Sequence, residues 1–470
     1  MTQAARTAAS AQVSADSADD EPLPRRGLIF AIVSMGLFMV SVDGTVVATA
    51  LTSLQRELHA GVQWGAWTIT IYSLGQVLVM PLAGRISDMY GRKRVFLAAI
   101  VLFTLTSLLC GLAQNIQMLV ALRAVQALGG GSIMPAASGI VSDHFGRNRD
   151  RALGMFTSIF PIGGVVGPIL GGVFVTYWSW RGIFLVNVPI GMALLILGAI
   201  FFPAAVGHRG GRLDLVGSAT MAATILSAMI GIAVLGDGSA WYSPGVLVPE
   251  LLAVAFGWLF VRHTRRAPHP FISLHLLIGR GFGVMNVINF LYGAAAIGFG
   301  ALVPLYAQER FGIPALESGT LLTARAIGMI CVAGLAVAAL RRTGYRFPMI
   351  VGFLLVSAGL VMMFLPPSGT SAYLWLSIAA AVTGLGMGLA VPAANNATLQ
   401  FAKGQIAGVS GLRGMFRQAG SIIAVSVVTA VIAQSSTPGF SLGVSFLVLA
   451  ATLIAVIPAV FLVPEHRGAW

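Results

Sequence analysis

The sequence predicts an all-α membrane protein with fourteen transmembrane helices, and its composition, glycine content and segment lengths support this prediction. Hydrophobic residues make up 57% of the 470 residues and charged residues only 9%, so most of the chain cannot form a surface that faces water. The 57 glycines suit helices that pack closely in a bilayer. Apolar segments long enough to cross about 30 Å of hydrocarbon recur along the chain. They lie at roughly 27–51, 63–83, 95–114, 117–140, 152–177, 183–205, 214–235, 245–261, 281–306, 318–340, 347–366, 372–392, 417–434 and 441–463.

The order of these segments indicates two related halves. Residues 85–94, after the second segment, align with residues 341–346, after the tenth, when Gly91 is set beside Gly344, although the second copy lacks an acid. Substrate sites of such repeat proteins lie where the two halves meet. We therefore expect five regions. They are a disordered cytoplasmic tail at 1–26, an N-terminal six-helix bundle at 27–205, an inserted helix pair at 206–262, a cytoplasmic linker at 263–280, and a C-terminal six-helix bundle with a short tail at 281–470.

Lysine and arginine residues predict the orientation in the membrane. An even number of spans places both termini on one side, and most of the 28 Lys and Arg residues fall in the loops of that side. Arg413 and Arg417, at the start of the thirteenth segment, are counted among these loop residues. Because positive loops stay in the cytoplasm, we expect both termini there and the protein in the inner membrane of a bacterial cell. The net charge of +13 then reflects topology, and no nucleic-acid partner is expected.

Several function classes lack the residues that they would need. Lys93 is followed by Arg and Lys403 by Gly, so neither belongs to the P-loop of an ATP-driven pump. Cys110 and Cys331 lie in apolar segments, and no histidine has metal-ligand spacing. We expect no enzymatic activity, no cofactor and no metal site.

One acid, Asp43, interrupts the first apolar segment. An ionised carboxylate inside a membrane is costly, so such a residue is a functional candidate. The helical rise places Asp43 about 24 Å from Gly27 and Arg123 about 9 Å from the outer end of the fourth segment, at comparable depth. The two could pair, with Gln126 on the same helix face as Arg123. This pair either couples proton transfer to transport or only orders the bundle.

A short charged link joins the second and third segments. It contains Gly84, Asp88, Gly91, Arg92 and Lys93, and we expect it to form a tight loop between two helices. These five residues fall at the spacing of a loop signature of the major facilitator superfamily, which the chain resembles here. The resemblance implies the major facilitator fold and a cytoplasmic gate at this loop.

The fifth segment carries a run of glycines. Gly163, Gly167, Pro168, Gly171 and Gly172 resemble the antiporter motif of the same family. Glycine every fourth residue lets a neighbouring backbone approach closely, and Pro168 removes a helical hydrogen bond. A general packing face of small residues is the alternative interpretation.

The chain also resembles the fourteen-span drug exporters of the EmrB/QacA type, through Trp67 and Tyr72, the stretch 179–191, and Arg417, Gln418 and Gly420. This resemblance implies a proton-coupled multidrug antiporter that works by alternating access, with Asp43 as proton carrier and Arg123 as its modulator. Segments two and thirteen lack the acids that some relatives have, so the expected cargo is lipophilic and neutral or monocationic. An exporter of a lipid or native metabolite, or an uptake symporter, remains the alternative.

Polar residues in the segments expected to line the cavity are the candidate substrate contacts. They are Trp67, Tyr72, Gln126, Asn286, Asn289, Tyr292, Arg325, Asn395 and Asn396. The expected partners are small lipophilic molecules, protons and the lipid bilayer, and the protein is expected to be a monomer.

Overall fold

The computed structural model describes residues 25–60, 62–203, 214–236, 238–268, 270–365, 369–400, 406–463 and 465. The first half contains α1 (Arg26–Glu57), α2 (Val62–Tyr90), α3 (Arg92–Gly111), α4 (Ile116–Phe145), a 3₁₀ turn (Gly146–Asn148), α5 (Arg149–Thr157), α6 (Ile159–Tyr177), α7 (Gly182–Leu185) and α8 (Asn187–Phe201). Then follow α9 (Leu215–Gly236), α10 (Pro244–Thr264), α11 (Leu274–Ile278), α12 (Arg280–Tyr292), a π-helix (Gly293–Gly298), α13 (Phe299–Phe311), α14 (Ala315–Thr343), α15 (Arg346–Phe364), α16 (Ala372–Gln400), α17 (Ile406–Ala433) and α18 (Pro438–Val460).

Thirteen helices in the described residues are long and apolar enough to cross a membrane. The predicted span at 281–306 is not among them; it consists of α12, a π-helical segment at Gly293–Gly298, and α13. Short π-helical insertions inside α-helices are rare and occur frequently at functional sites.

Two predicted boundaries are wrong in an informative way. The stretch 84–90 is the last part of α2 and not a loop, and α17 begins at Ile406, eleven residues before the predicted start at 417. Arg413 and Arg417 therefore lie inside a helix and not in a loop. Hydropathy ends a predicted span at charged residues, yet a helix that is buried inside the protein can carry charge without exposing it to lipid.

Gly91 alone connects α2 and α3. Its φ of 98° lies in the left-handed region, where a side chain would be strained and where glycine is the usual residue. Gly344, with φ 71°, follows α14 at the corresponding place before α15. Both connections are therefore tight reversals set by glycine.

The core has two main parts. Buried side chains of α1–α8 form most of two clusters, which we call the N-terminal bundle (26–201), and those of α12–α18 form another, the C-terminal bundle (280–463). Four residues of the C-terminal bundle join one of the first two clusters, namely Phe282, Leu399, Ile406 and Val409. Helices α9 and α10 pack on each other, and α9 also packs on α17 and α2. Met221 and Phe260 join Val77 and Leu412 in a smaller cluster. The helix pair thus lies beside the junction of the two bundles.

Asp214 holds the start of this helix pair. Its Oδ1 accepts hydrogen bonds from the N–H of Gly217 at 2.8 Å and pairs with His263 Nε2 at 2.7 Å, while Oδ2 accepts from the N–H of Phe271 at 3.1 Å. Burial acts to raise the pKa of Asp214, but these hydrogen bonds outweigh it and lower that pKa. One carboxylate therefore ties α9 to α10 and to the segment after α10.

Parts of the predicted domain division fall outside the described residues, namely 1–24 of the tail and 204–213 before α9. The predicted linker at 263–280 contains the short helix α11. Asn286 Nδ2 donates to the carbonyl oxygens of Leu276 and Leu277 at 2.9 and 3.0 Å, which fixes α11 against α12.

Candidate functional site

Asp43 and Arg123 form an ion pair in the interior of the N-terminal bundle. Arg123 Nη1 lies 2.7 Å from Asp43 Oδ2, and the two side chains are 1% and 0% exposed, respectively. They come from α1 and α4, which pack together within this bundle. A charge that is shut off from water is tolerated when an opposite charge and further hydrogen bonds accompany it.

Two amides complete the surroundings of the Asp43 carboxylate. Gln126 Nε2 and Asn187 Nδ2 each donate to Asp43 Oδ1 at 3.2 Å. Asn187 Nδ2 also lies 3.0 Å from Ser107 Oγ, which in turn donates to the carbonyl oxygen of Phe184 at 2.9 Å. The carboxylate is thus held by donors from α4 and α8 as well as by its charged partner.

Arg123 is held on several sides. Its Cζ atom lies 3.8 Å from the ring centroid of Tyr72 and 5.6 Å from that of Phe184, which are cation–π distances. Its Nε donates to the carbonyl oxygen of Thr68 at 3.3 Å, and Nη1 donates to Gln126 Oε1 at 2.8 Å. Protonation of Asp43 would weaken one contact of Arg123 and leave the others, so the guanidinium would stay in place.

Asn187 and Ser107 are not among the site residues that the sequence predicts. The available signal is a polar side chain inside an apolar segment, the same signal that identified Asp43. Because serine and asparagine are common in packed membrane helices, this signal alone does not separate a site residue from a packing residue.

The glycine run of the fifth segment lies on α6 against α1. A side chain at Gly163 would meet Ser41, one at Gly167 would meet Thr45, and one at Gly171 would meet Thr49. Thr45 Oγ1 also reaches the carbonyl oxygen of Gly163 at 3.4 Å. Gly172 is different, because nothing lies within 4 Å of an added Cβ there. Pro168 lies within the same helix. Three of the predicted glycines therefore form a close contact with the helix that carries Asp43.

A first contact between the bundles involves Asp88. Its Oδ2 accepts a hydrogen bond from the N–H of Gly408, in the first turn of α17, at 2.8 Å. A helix N-terminus favours a carboxylate at this position. Gly84 lies one helical turn earlier, and its backbone is so close to Ala407 that a side chain would collide with it.

The basic residues around Gly91 serve the N-terminal bundle itself. Arg92 pairs with Asp143 and donates to the carbonyl oxygen of Gly139 at 2.6 Å. Lys93 Nζ donates to the carbonyl oxygens of Ala199 and Phe202, at the C-terminal end of α8. Arg92 Nη2 also lies 3.5 Å from Asp88 Oδ1, so Arg92 holds Asp88 from within its own bundle while Asp88 makes the contact across.

A second contact between the bundles centres on Asp150 of α5. Its Oδ2 accepts from Gln400 Nε2 at 3.1 Å and lies 3.4 Å from the Tyr345 hydroxyl. Asn396 Nδ2 donates to its backbone carbonyl oxygen at 3.0 Å. Burial and the neighbouring carboxylate raise the pKa of Tyr345, which keeps the phenol protonated. Asp150 is not among the residues that the sequence predicts as functional.

Both contacts lie at one end of the molecule, where Gly91, Gly146–Asn148 and Gly344 connect helices. We call this the basic end. In the described residues, the side-chain hydrogen bonds that join the two bundles lie on this side of the interface. The basic end is therefore closed in this structure.

The predicted substrate contacts do not form one cluster. Tyr72 and Gln126 belong to the surroundings of Asp43 and Arg123, and Trp67 precedes Thr68 there. Asn395 donates to Thr157 Oγ1 at 2.9 Å and, like Asn396, joins the bundles. Asn286 fixes α11, and Asn289 donates to the carbonyl oxygen of Met285 at 2.7 Å. Tyr292 and Arg325 lie elsewhere, beside the π-helical segment.

Comparison with known proteins gives a family match over most of the chain. A family model described as Major Facilitator Superfamily matches residues 33–425 and, in a second match, residues 284–470. Multidrug resistance protein 3 of Bacillus subtilis (strain 168) is 30% identical over 355 residues, which are 75% of this chain and 69% of that protein. A Multidrug resistance protein B homolog of Mycobacterium tuberculosis (strain ATCC 25618 / H37Rv) is 30% identical over 395 residues, which are 83% of this chain and 73% of that protein.

Solved structures share the fold. The human organic anion transporter MFSD10 (TETRAN) superimposes with a TM-score of 0.69 at 15% identity, covering 93% of this chain and 100% of that chain. The proton:xylose symporter XylE superimposes with a TM-score of 0.66 at 14% identity, covering 94% and 97%. At these identities the likeness concerns the fold alone.

Proposed function

Because the chain belongs to the Major Facilitator Superfamily, we propose that it is a proton-coupled multidrug efflux antiporter for lipophilic compounds that works by alternating access. Two relatives that are 30% identical to this chain are named as multidrug resistance proteins, and these names support the multidrug part of the proposal. In this proposal the protein has fourteen spans of the EmrB/QacA type, arranged as two bundles of six helices and an inserted pair, and the π-containing segment 280–311 is the ninth span. The protein is a monomer in the inner membrane with both termini in the cytoplasm.

The observation that carries the coupling is the ion pair of Asp43 and Arg123. Asp43 is the one carboxylate in the membrane-spanning part of α1, Arg26–Leu51, and it lies on the helix that packs against the glycine face of α6. A group that gains and loses a charge at this contact would link proton binding to the packing of α1 on α6. Burial of the group away from water makes each charge change large in free energy.

The closed basic end supports alternating access. With the bundles joined through Asp88 and Asp150, the interface would open on the opposite side. Under the proposed topology this is the outward-facing state, in which a cargo leaves and a proton reaches Asp43. Protonation would then precede the return to the inward-facing state.

Purified protein in proteoliposomes tests the function. A pH gradient imposed alone, with the membrane potential clamped by valinomycin and potassium, is expected to drive a lipophilic dye against its concentration gradient. Protons are expected to move in the opposite direction to the dye. Movement of both in one direction would indicate a symporter, and transport that ignores the pH gradient would overturn the proposal.

A further inference from the structure

Three arginines in the C-terminal bundle have no acidic partner in the part of the chain that the structure describes. Arg413 and Arg417 lie about 10 and 16 Å along α17 from Ile406, and Arg325 lies about 27 Å along α14 from its end at Thr343. Among the described residues, no carboxylate is within ion-pair distance of any of them. Arg123 of the N-terminal bundle is neutralised by Asp43, whereas these three arginines keep their charge. The C-terminal bundle therefore carries an excess of positive charge.

Two buried groups of this cluster lack hydrogen-bond partners among the described residues. Arg413 is 1% exposed, yet its Nε and Nη1 atoms donate to no group in the described part of the chain. Tyr292 is 5% exposed, and its hydroxyl likewise has no partner there. Arg413 and Arg417 are four residues apart and so lie on one face of α17, and the backbone of Arg417 meets Gly293, the residue after Tyr292. Unsatisfied buried donors are rare and costly, so a cluster of them calls for an acceptor that binds there.

The π-helical segment brings these donors together. Tyr292 is the residue before it, and Arg325 Nη1 donates to the carbonyl oxygen of Ala296 within it at 3.3 Å. On the other side, the backbone of Gly293 touches the carbonyl of Arg417 so closely that no side chain would fit. Gly420 makes a similar approach to Phe290. The segment is thus the common wall between the arginine of α14 and those of α17.

An apolar cavity begins one turn beyond Arg417. It has a volume of about 510 Å³ and lies between α12, the π-helical segment, α17 and α18. Its wall includes Phe290, Ala294, Gly420 and Ala424. Its rim includes Val427, Val431 and Val448, which are 44%, 53% and 59% exposed. Exposed valines on two apolar helices face lipid, so the cavity opens into the bilayer, and its volume is that of a small-molecule site.

We propose that this protein binds a lipophilic monoanion taken from the bilayer, with the acid group held by Arg413, Arg417 and Tyr292 and the apolar part in the adjoining cavity. The inference rests on the proposed function and names the class of cargo. An anion supplies acceptors for the free N–H and O–H groups, and arginine is suited to bind a carboxylate through two donors. A monocation would add to three uncompensated charges. The expectation of a neutral or monocationic cargo considers only the acids of the spans, whereas Arg413 and Arg417, which the sequence places in a loop, add positive charge within α17.

Binding of three probes that differ only in the polar group tests the charge preference. The probes are 1-pyrenebutyrate, 1-pyrenebutanol and 1-pyrenebutylamine, measured by pyrene fluorescence at pH 8 with the full chain in phosphatidylcholine nanodiscs and empty nanodiscs as blank. The acid is expected to bind at least tenfold more tightly than the alcohol, and the amine most weakly. Equal binding of the acid and the alcohol, or tightest binding of the amine, would overturn the inference.

Variants locate the site. Arg417→Gln and Arg413→Gln are expected to remove the preference for the acid and leave the alcohol unchanged, while Arg417→Lys retains part of it. Ala424→Trp is expected to weaken all three probes to a similar extent. The matched control is Arg342→Gln, at an exposed residue, which is expected to change nothing. A preference that survives both glutamine variants would place the acid elsewhere and reject the site.

Further measurements distinguish a lipophilic acid from other anions, and distinguish failure of this inference from failure of the proposed function. Excess butyrate, which has no apolar tail, is not expected to displace the probe, and displacement by butyrate would reject a lipophilic ligand. If the acid no longer binds in nanodiscs of phosphatidylglycerol, the arginines bind a lipid headgroup instead, and this result would also overturn the inference. Binding can be measured without a pH gradient, so the two hypotheses can fail separately. If the protein prefers the acid but a pH gradient drives no transport, only the proposed function is rejected. If a pH gradient drives transport but the protein does not prefer the acid, only this inference is rejected.

Discussion

Asp150 Oδ2 lies 3.1 Å from Nε2 of Gln400, on the opposite bundle. In the first half of the chain, Asp88 of α2 contacts α17 at its first turn. The corresponding loop of the second half, 341–346, has no acid. Asp150 supplies the carboxylate there from the other side of the interface, beside Tyr345. Both carboxylates that close the basic end therefore belong to the N-terminal bundle.

The first prediction concerns Asp88 and the closed basic end. Asp88→Asn replaces a charge-assisted hydrogen bond by a weaker one, a loss of about 1.5 kcal/mol that corresponds to a roughly tenfold shift toward the open end. The measurement is the maleimide labelling rate of Ser410→Cys in a chain without its native cysteines, because Ser410 is 1% exposed just after Gly408. Glu57→Gln is the matched control, since Glu57 contacts Arg181 within one bundle and lies away from the basic end. Equal labelling of both variants would contradict the role of Asp88.

The second prediction concerns Asp150. Asp150→Ala removes the acceptor of Gln400 and Tyr345 and is expected to raise the same labelling rate. Sites that share no partners change stability additively, so the double variant with Asp88→Asn is expected to show the product of the two single effects. A double variant that labels no faster than Asp88→Asn alone would show that Asp150 does not hold the bundles together.

The third prediction separates the two interpretations of Asp43 and Arg123. Asp43→Asn leaves a buried arginine without its charged partner and is expected to destabilise the fold by about 3–5 kcal/mol. The double variant Asp43→Asn/Arg123→Gln removes both charges and is expected to recover most of the thermal stability. Transport driven by a pH gradient should be absent in both variants. A double variant that is stable and still pumps would assign the pair a purely structural role.

The fourth prediction uses two neighbouring glycines of α6. A Cβ at Gly167 would meet Thr45 and would lie 3.0 Å from the carbonyl oxygen of Val42, whereas nothing lies within 4 Å of a Cβ at Gly164. Gly167→Leu is therefore expected to stop transport while substrate binding persists, because it wedges α1 away from α6. Gly164→Leu is expected to transport normally. Similar transport by the two variants would show that the contact of α1 and α6 does not need glycine.

The fifth prediction concerns Asp214 and pH. A carboxyl whose pKa is lowered by folding stabilises the fold above its unfolded pKa of about 3.9 and loses this contribution as the pH falls through the lower folded value. Asp214→Ala is thus expected to speed hydrogen exchange of the Gly217 and Phe271 amides severalfold at pH 7, for a loss of about 1 kcal/mol. The difference from the native chain should shrink below pH 4. Glu250→Gln on α10 serves as control, and a difference that grows toward low pH would contradict the assignment.

Sequence reasoning located Asp43 and Arg123 at a comparable depth because each is an isolated charge in an apolar segment. The helical rise then suffices to compare their depths. It also assigned Asp88 to a gate, through the resemblance of its loop to the family signature, and in the structure Asp88 contacts Gly408 of α17. Both inferences depend on local patterns that survive folding.

Other parts of the site depend on contacts that no local pattern contains. Asp150 lies between Arg149 and Arg151 and is indistinguishable from an ordinary loop charge in the sequence. Arg413 and Arg417 end a hydropathy window, so they are assigned to a loop although α17 buries Arg413 against other helices. The π-helical segment has no composition that distinguishes it from its α-helical neighbours. In each case the deciding information is the partner helix.

The single-residue connection at Gly91 makes α2 and α3 one mechanical unit. Arg92, directly after Gly91, is anchored to α4 through Gly139 and Asp143, and Lys93 is anchored to the end of α8. Asp88 cannot leave Gly408 by a local loop movement, because no slack exists between α2 and these anchors. When the bundles separate at the basic end, α2, α3, α4 and α8 must therefore move together. Loss of the hydrogen bond between Asp88 and Gly408 and rotation of the whole N-terminal bundle are then a single step.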